Sequence, residues 1–219
     1  MDDPRLIEEG LAGRLSADSP EFQRFVDITA RRPSGEAGAA HYRDPREHEE
    51  SFAMALGALE PTAADRYLEL CFGGGQLLER ALETAASAAG IDHSPDMVAL
   101  ARERNAAAVA AGRLELVEGD VHELPWAEAE FTCGACLNAF FFIERPTDFF
   151  AEVRRVLSPS GRFVLITARS AADPSGGPWN PALRRYEPSA LRTMLLDAGF
   201  REARVDEDAD SPQVAVARA

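Results

Sequence analysis

The stretch YLELCFGGGQLLERA, residues 67–81, sets out a strand, a turn and the start of a helix in one run. Tyr67 to Leu70 are apolar enough for a buried strand. Gly73, Gly74 and Gly75 let the backbone turn without Cβ clashes. Leu77, Leu78, Ala81 and Leu82 then recur at helical spacing, so a helix begins directly after the turn. A strand, a glycine turn and a helix N-terminus form a nucleotide cradle, because unpaired amides and the positive dipole end face the ligand. Downstream, GIDHSPDMVALAR (90–102) places Asp92 at the end of the next strand, 23 residues after Glu69. An acidic ribose reader is expected about 20 residues on in nucleotide-binding α/β units. The spacing predicts a nucleoside-cofactor site.

Missing features narrow the cofactor. A dinucleotide fingerprint counted from Gly73 puts Leu78 where its third glycine should stand. A phosphate-binding Walker loop needs Gly-Lys-Ser/Thr, and the chain contains no lysine. The pattern instead resembles the first motif of the class I S-adenosylmethionine (SAM) methyltransferases, with Glu69 at the acidic position and Gly73 and Gly75 as the later glycines. Cys71 stands where that family has its first glycine. Other segments resemble the family in order: GIDHSPDM, LVEGDVHELPW (116–126), FTCGACLNAFFFIERP (131–146) and EVRRVLSPSGRFVLIT (152–167). Together they cover roughly residues 60–218, with the flavour of the small-molecule methyltransferases.

The resemblance implies an α/β, Rossmann-like, doubly wound and mostly parallel seven-stranded sheet with a closing antiparallel hairpin. It implies SAM as cofactor and S-adenosylhomocysteine as product. Glu69, Gly73 and Gly75 are then expected at the methionine end, and Asp92 on the ribose hydroxyls with His93 flanking. Met97, Asp120 and Val121 are expected around adenine, and Leu137 and Asn138 near the cofactor's amino-acid end.

Alternation from residue 66 onward agrees with this architecture. Strands are expected near 66–71, 87–91, 114–117, 132–138, 162–167, 201–206 and 213–218, and helices near 76–84, 95–110, 147–157 and 188–198. Ser94 as N-cap, Pro95 at the first helical position and Gly112 past the end bracket the second of these helices. Residues 1–60 are expected as an N-terminal helical cap or lid, and 61–219 as the cofactor-binding domain. Within the cap, Phe22, Phe25, Val26 and Thr29 form one helical stripe, and 30–43 reads as a flexible loop. A further helix is signalled by Asp44 as N-cap, Pro45 and Glu47, with Phe52, Leu56 and Leu59 as its apolar stripe.

Composition excludes some partners. The net charge is −14, with 23 arginines as the only lysine-class cations, and this disfavours nucleic acid and anionic membranes as partners. The N-terminus MDDPRLIEEG lacks the apolar core of a signal peptide, and no run approaches the roughly 20 apolar residues that span a bilayer. Three cysteines fit a reducing cytoplasm. Cys133 and Cys136 form a C-x-x-C in a strand, where positions i and i+3 face opposite ways, so no shared metal is expected.

Methyl transfer from a sulfonium is a direct displacement in which the protein supplies alignment and excludes water. A base is needed only where the acceptor must lose a proton. His41 and Tyr42 in the N-terminal loop are the candidates, whereas His48 reads as a solvated helix residue. Phe140, Phe142, Trp179 and Tyr186 are expected to line an apolar acceptor pocket, with 168–187 as a second lid segment. Deleting residues 1–40 is then expected to lower turnover far more than SAM affinity. Two other readings stay open: a SAM-binding chain of this fold without methyl transfer, and a nicotinamide oxidoreductase, which Leu78 disfavours.

Overall fold

A computed structural model describes residues 3–44, 46–171, 177–208 and 211–219. Seven strands form one sheet: β1 (Arg66–Leu70), β2 (Ser87–Asp92), β3 (Leu114–Glu118), β4 (Phe131–Leu137), β5 (Leu157–Thr167), β6 (Glu202–Asp206) and β7 (Gln213–Arg218). Their order is β3-β2-β1-β4-β5-β7-β6, and every pairing is parallel except those of β7 with β5 and β6. This is the doubly wound sheet with its closing hairpin. The chain reverses direction across the sheet at β1, between β2 and β4, which is where such sheets open a ligand crevice.

The sheet is buried on both faces, as parallel strands require. Leu68, Leu70, Ile91, Phe131 and Phe163 pack on one side with α8 (Pro146–Val156) and α9 (Pro188–Asp197). Tyr67, Ala88, Val164 and Ile166 pack on the other, against residues of α4 (Glu49–Leu59), α5 (Gln76–Ala81) and α6 (Pro95–Arg104). Cys133 lies in the second cluster and Cys136 in the first, so the two thiols do sit on opposite faces. Asp65 fastens the entry to β1 by accepting from Thr62, Thr132 and Arg162. Burial opposes its charge, but those donors prevail and bring its carboxyl down to about 2.

The cap departs from expectation in several places. Helices α1 (Pro4–Leu11) and α2 (Pro20–Val26) are followed by a wide π turn over Asp27–Arg31. The stripe Phe22, Phe25, Val26 and Thr29 is buried as expected. The segment expected as a loop contains a helix, α3 (Gly35–Arg43). Its low-propensity sequence GEAGAAHYR is held by tertiary contact: a Cβ on Gly38 would lie 2.8 Å from the Ile28 carbonyl oxygen. Asp44 closes α3 and does not cap the next helix. That helix, α4, starts at Glu49 after a short 3-10 turn, while Pro45 and the Glu47 side chain lie outside the described residues.

The expected helix 95–110 is two helices, α6 and α7 (Ala106–Ala110), separated at Asn105. The Asn105 amide donates to the Ala101 and Gly75 carbonyls, both at 3.0 Å. Such side-chain competition with the backbone interrupts the helix and ties it to the glycine turn.

Candidate functional site

Beyond the C-terminal ends of β1, β2 and β4, the chain encloses a cavity of about 940 Å³. This is near the upper end of the usual range for ligand sites, which reaches about 1,000 Å³. The floor is the turn after β1. Cys71, Gly73 and Gly75 all adopt left-handed backbone, with φ of 56°, 53° and 73°. A side chain at Gly75 would drive its Cβ to 2.6 Å from that of Ala101, so this glycine lets α5 and α6 approach. Cys71 has no such excuse and carries left-handed strain, for which L-residues are charged roughly 1–2 kcal/mol.

Cys71→Gly is therefore expected to leave thermal stability unchanged or raised by up to about 1 kcal/mol, with cofactor affinity equal or slightly tighter. Calorimetry and a melting curve check both. A large loss would show that the thiol, which packs against the core beside Cys136, matters more than the strain.

Asp92 ends β2, almost fully buried. One oxygen accepts from the Gly73 amide and the other from the Ser94 amide, each at 2.9 Å. Burial raises its pKa, and the amides of Ser94 and Gly73 counter that shift. A carboxylate has about four acceptor positions, so two remain for a ligand. Glu69 lies one strand over, also buried, with Oε2 making no hydrogen bond. Burial first, and then the neighbouring Asp92 charge, push its carboxyl well above the usual carboxylate range.

At the end of β3, Asp120 and Val121 line the same space. Asp120 is largely exposed and accepts from the His122 backbone N–H at 2.9 Å and its ring Nδ1 at 2.5 Å. Burial opposes its charge, yet the two His122 contacts prevail and lower its pKa. Leu137, Asn138 and the half-exposed His93 also face the cavity.

Two expected cofactor residues do not line it. Gly75 sits behind the turn, and Met97 is fully buried in the first turn of α6, where its amide donates to Ser94 Oγ.

The opposite wall is built by the cap and two irregular segments. His41, Tyr42 and Trp179 line it, as does Phe142 from a short 3-10 turn after β4. Phe140 and Tyr186, expected here as well, are not in the cavity. Phe140 is fully buried against Phe149 and Phe150, and Tyr186 packs on it at 5.2 Å between ring centroids. Arg184 and Arg185 brace backbone carbonyls instead of facing the cavity.

Trp179 stacks on Phe25 with rings 4° from parallel and donates from Nε1 to Thr29 Oγ1 at 2.7 Å. The cap is fastened to the cofactor side as well. Ser94 Oγ donates to the Pro33 carbonyl, the Gly35 amide donates to Asp96, and Arg32 donates to the His93 carbonyl. Tyr42 lies directly on the turn, since a Cβ on Gly73 would come within 2.8 Å of its ring.

His48 overturns its expected solvated placement. It lines the cavity, with Nδ1 3.1 Å from the Asn138 amide and its ring beside those of His41, Tyr42 and Phe52. No local pattern foretells this, because the partner is 90 residues away. Asn105 was likewise missed, although an Asn inside a helical run is a signal of interruption.

Known proteins agree with this geometry. The family model described as a methyltransferase domain matches residues 68–165. A demethylmenaquinone methyltransferase from Deinococcus radiodurans is 34% identical over 125 residues, 55% of this chain and 49% of that protein. The chain spans about half or less of the length of the curated relatives it matches. Among solved structures, a chain of the complex between the Haloferax volcanii Trm112 methyltransferase activator and its methyltransferase superposes with a TM-score of 0.72 at 20% identity. The match covers 87% of this chain and 97% of that one. A SAM-dependent methyltransferase from Aquifex aeolicus gives 0.61 at 18% identity, covering 100% and 99%. The family match falls on the strands and turns that build the cavity floor, so over residues 68–165 the chain is similar to a methyltransferase domain.

Proposed function

We propose that this chain holds SAM across the β1, β2 and β3 ends and transfers its methyl to a small apolar molecule held against the cap. The observation that carries the reading is the buried Asp92 carboxylate, pinned by the turn it faces and retaining acceptor positions toward the cavity. Asp92 would take the ribose hydroxyls through charge-assisted bonds of about 1.5–3 kcal/mol each. Glu69, with its unpartnered buried oxygen, would accept from the cofactor's amino group. Asp120 and Val121 would border adenine, while Leu137 and Asn138 would border the amino-acid end. Bound SAM supplies an electrophilic methyl on sulfur.

The remaining work belongs to the chain: aligning the acceptor and keeping water out. Phe142, Trp179, Tyr42 and Phe52 give apolar walls for a flat acceptor. Residues 1–60 act as a cap over the 61–219 domain, and its bonds to Trp179 and the β2–α6 loop support that division. The acidic charge and unpaired thiols support a cytoplasmic enzyme acting on a small molecule, not on nucleic acid or a membrane. Among the described residues no helix is long and apolar enough to cross a bilayer.

Calorimetry is expected to show SAM and S-adenosylhomocysteine binding at low micromolar Kd, about −8 kcal/mol, with no heat from NAD. Leu78 fills the position that a dinucleotide site keeps as glycine and packs at the Gly90 backbone. Mass analysis after incubation with acceptor panels then separates transfer from binding alone. SAM binding with no methylated product from any panel would favour the non-transferring alternative.

A further inference from the structure

The strongest unassigned feature of the cavity is a chain of three side chains joining the cap to the end of β4. Asn138 follows β4 in left-handed backbone, φ 53°, an uncommon conformation that concentrates at functional positions. Its amide contacts His48 Nδ1 at 3.1 Å and Ser51 Oγ at 3.3 Å. Ser51 is buried, and its hydroxyl makes this hydrogen bond and no other among the described residues.

The two ends of an amide occupy the same space, so the hydrogen-bonding demands of the partners decide which end faces them. With the nitrogen inward, the buried Ser51 hydroxyl hydrogen finds no acceptor there. With the oxygen inward, Ser51 Oγ–H and His48 Nδ1–H both donate to it, filling its two lone pairs. The amide nitrogen then turns toward the cavity. That arrangement fixes the Nδ1–H tautomer of His48 and leaves the lone pair on Nε2, the ring nitrogen away from Asn138.

We propose that His48 is the general base for acceptor deprotonation, with Asn138 and Ser51 as the positioning residues that set its tautomer; this rests on the methyl-transfer reading above. For an acceptor hydroxyl, an oxygen lone pair forms the new bond to the methyl carbon, and the carbon–sulfur electron pair leaves with sulfur. The O–H pair stays on oxygen, and the proton passes to His48 Nε2. Sulfur loses its positive charge as the imidazole gains one, and the imidazolium later returns its proton to water.

His48 is the first choice over His41 because it is the imidazole that the structure fastens to a strained strand end. Titratable groups facing it are His41 and Tyr42 of α3; Glu69 of β1 lines the same cavity, and Glu49 and Glu50 follow on its own helix. Glu49 is directed away, to Arg80 and Gln76.

The test begins with the intact chain. Long-range proton–nitrogen NMR of its four imidazoles, with His48 assigned by His48→Gln, is expected to show His48 as the Nδ1–H form. In Asn138→Ala the two tautomers should mix. Asn138→Asp keeps a residue that tolerates left-handed backbone and should raise the His48 titration midpoint by about one pH unit or more. An Nε2–H form in the wild type, or a tautomer indifferent to Asn138, overturns the proposal.

A second measurement reads the proton transfer itself. 4-Nitrophenol added to the chain saturated with S-adenosylhomocysteine, below the phenol's own midpoint, should gain roughly tenfold in its ionised, yellow fraction. The gain should vanish in His48→Gln. Absence of the gain in the wild type, or its survival in His48→Gln, also overturns the assignment. Failure of SAM to bind in calorimetry would instead remove the methyl-transfer reading, and the NMR readout of the His48 tautomer does not depend on that result.

Discussion

Replacing Asp92 with Ala is expected to weaken SAM binding by about 2 kcal/mol or more, roughly thirtyfold, because two charge-assisted bonds to the ribose are lost. The fold should loosen as well. In the native chain the carboxylate holds the Gly73 and Ser94 amides, so the variant leaves two buried donors unpaired at the turn and at the head of α6. Asp92→Asn separates the two effects, since its single carbonyl oxygen can satisfy one of those amides and its NH2 opposes the other. Affinity measured by calorimetry beside a melting curve reports both. Unchanged SAM affinity in a folded Asp92→Ala chain would move the ribose elsewhere in the cavity.

The second large effect concerns the seam between cap and sheet. Trp179→Ala removes the stack on Phe25 and the donor to Thr29, and Phe25→Ala empties a fully buried site. Each is expected to destabilise the cap by about 3 kcal/mol or more, as for other large-to-small aromatic truncations. Hydrogen exchange over α1 to α3 should rise steeply in both variants while the β1–β5 amides stay protected. Turnover should fall at least tenfold once the acceptor is known, because a loosened cap admits water and blurs alignment. The two substitutions should be strongly non-additive, since each breaks the same contact. Additive losses would show that the two rings act independently.

These point variants replace deletion of residues 1–40 as the test of the cap. Deletion was expected to spare the cofactor, yet it would remove Arg32, Pro33 and Gly35, which bond the β2–α6 loop beside Asp92. SAM affinity and turnover would then fall together.

The sheet and the turn were legible because their signals are local. Apolar runs of strand length, the glycine triplet and the Ser94-Pro95 start each act within a few residues; six strands lie within a residue of where those signals put them, while β5 starts at Leu157, ahead of the expected 162. The cap was much less legible. Helix α3 has poor intrinsic propensity and forms where Gly38 lets it press on the Ile28 carbonyl, a contact no periodicity encodes. In the same way, the run Phe140-Phe141-Phe142 has no alternation to say which ring turns inward; the structure buries Phe140 and gives the other two to the cavity. Met97 was placed by resemblance, and the tight first turn of α6 keeps it out of the cavity. His48 and Asn138 meet across 90 residues, so only the folded chain brings them together.

The acids at the strand ends have a consequence for turnover as a cycle. Glu69 and Asp92 sit side by side, both buried, and burial first and then the Asp92 charge raise the Glu69 carboxyl. A sulfonium brings a positive charge into that field; the thioether left after transfer does not. The same pocket therefore attracts the charged donor more strongly than the spent one, and the attraction is larger at such a site than in bulk water. Product inhibition, a common burden on enzymes whose spent cofactor keeps almost every contact of the fresh one, is expected to be lighter here through the Asp92 charge. A weaker affinity for S-adenosylhomocysteine than for SAM in calorimetry is the outcome that bears this out.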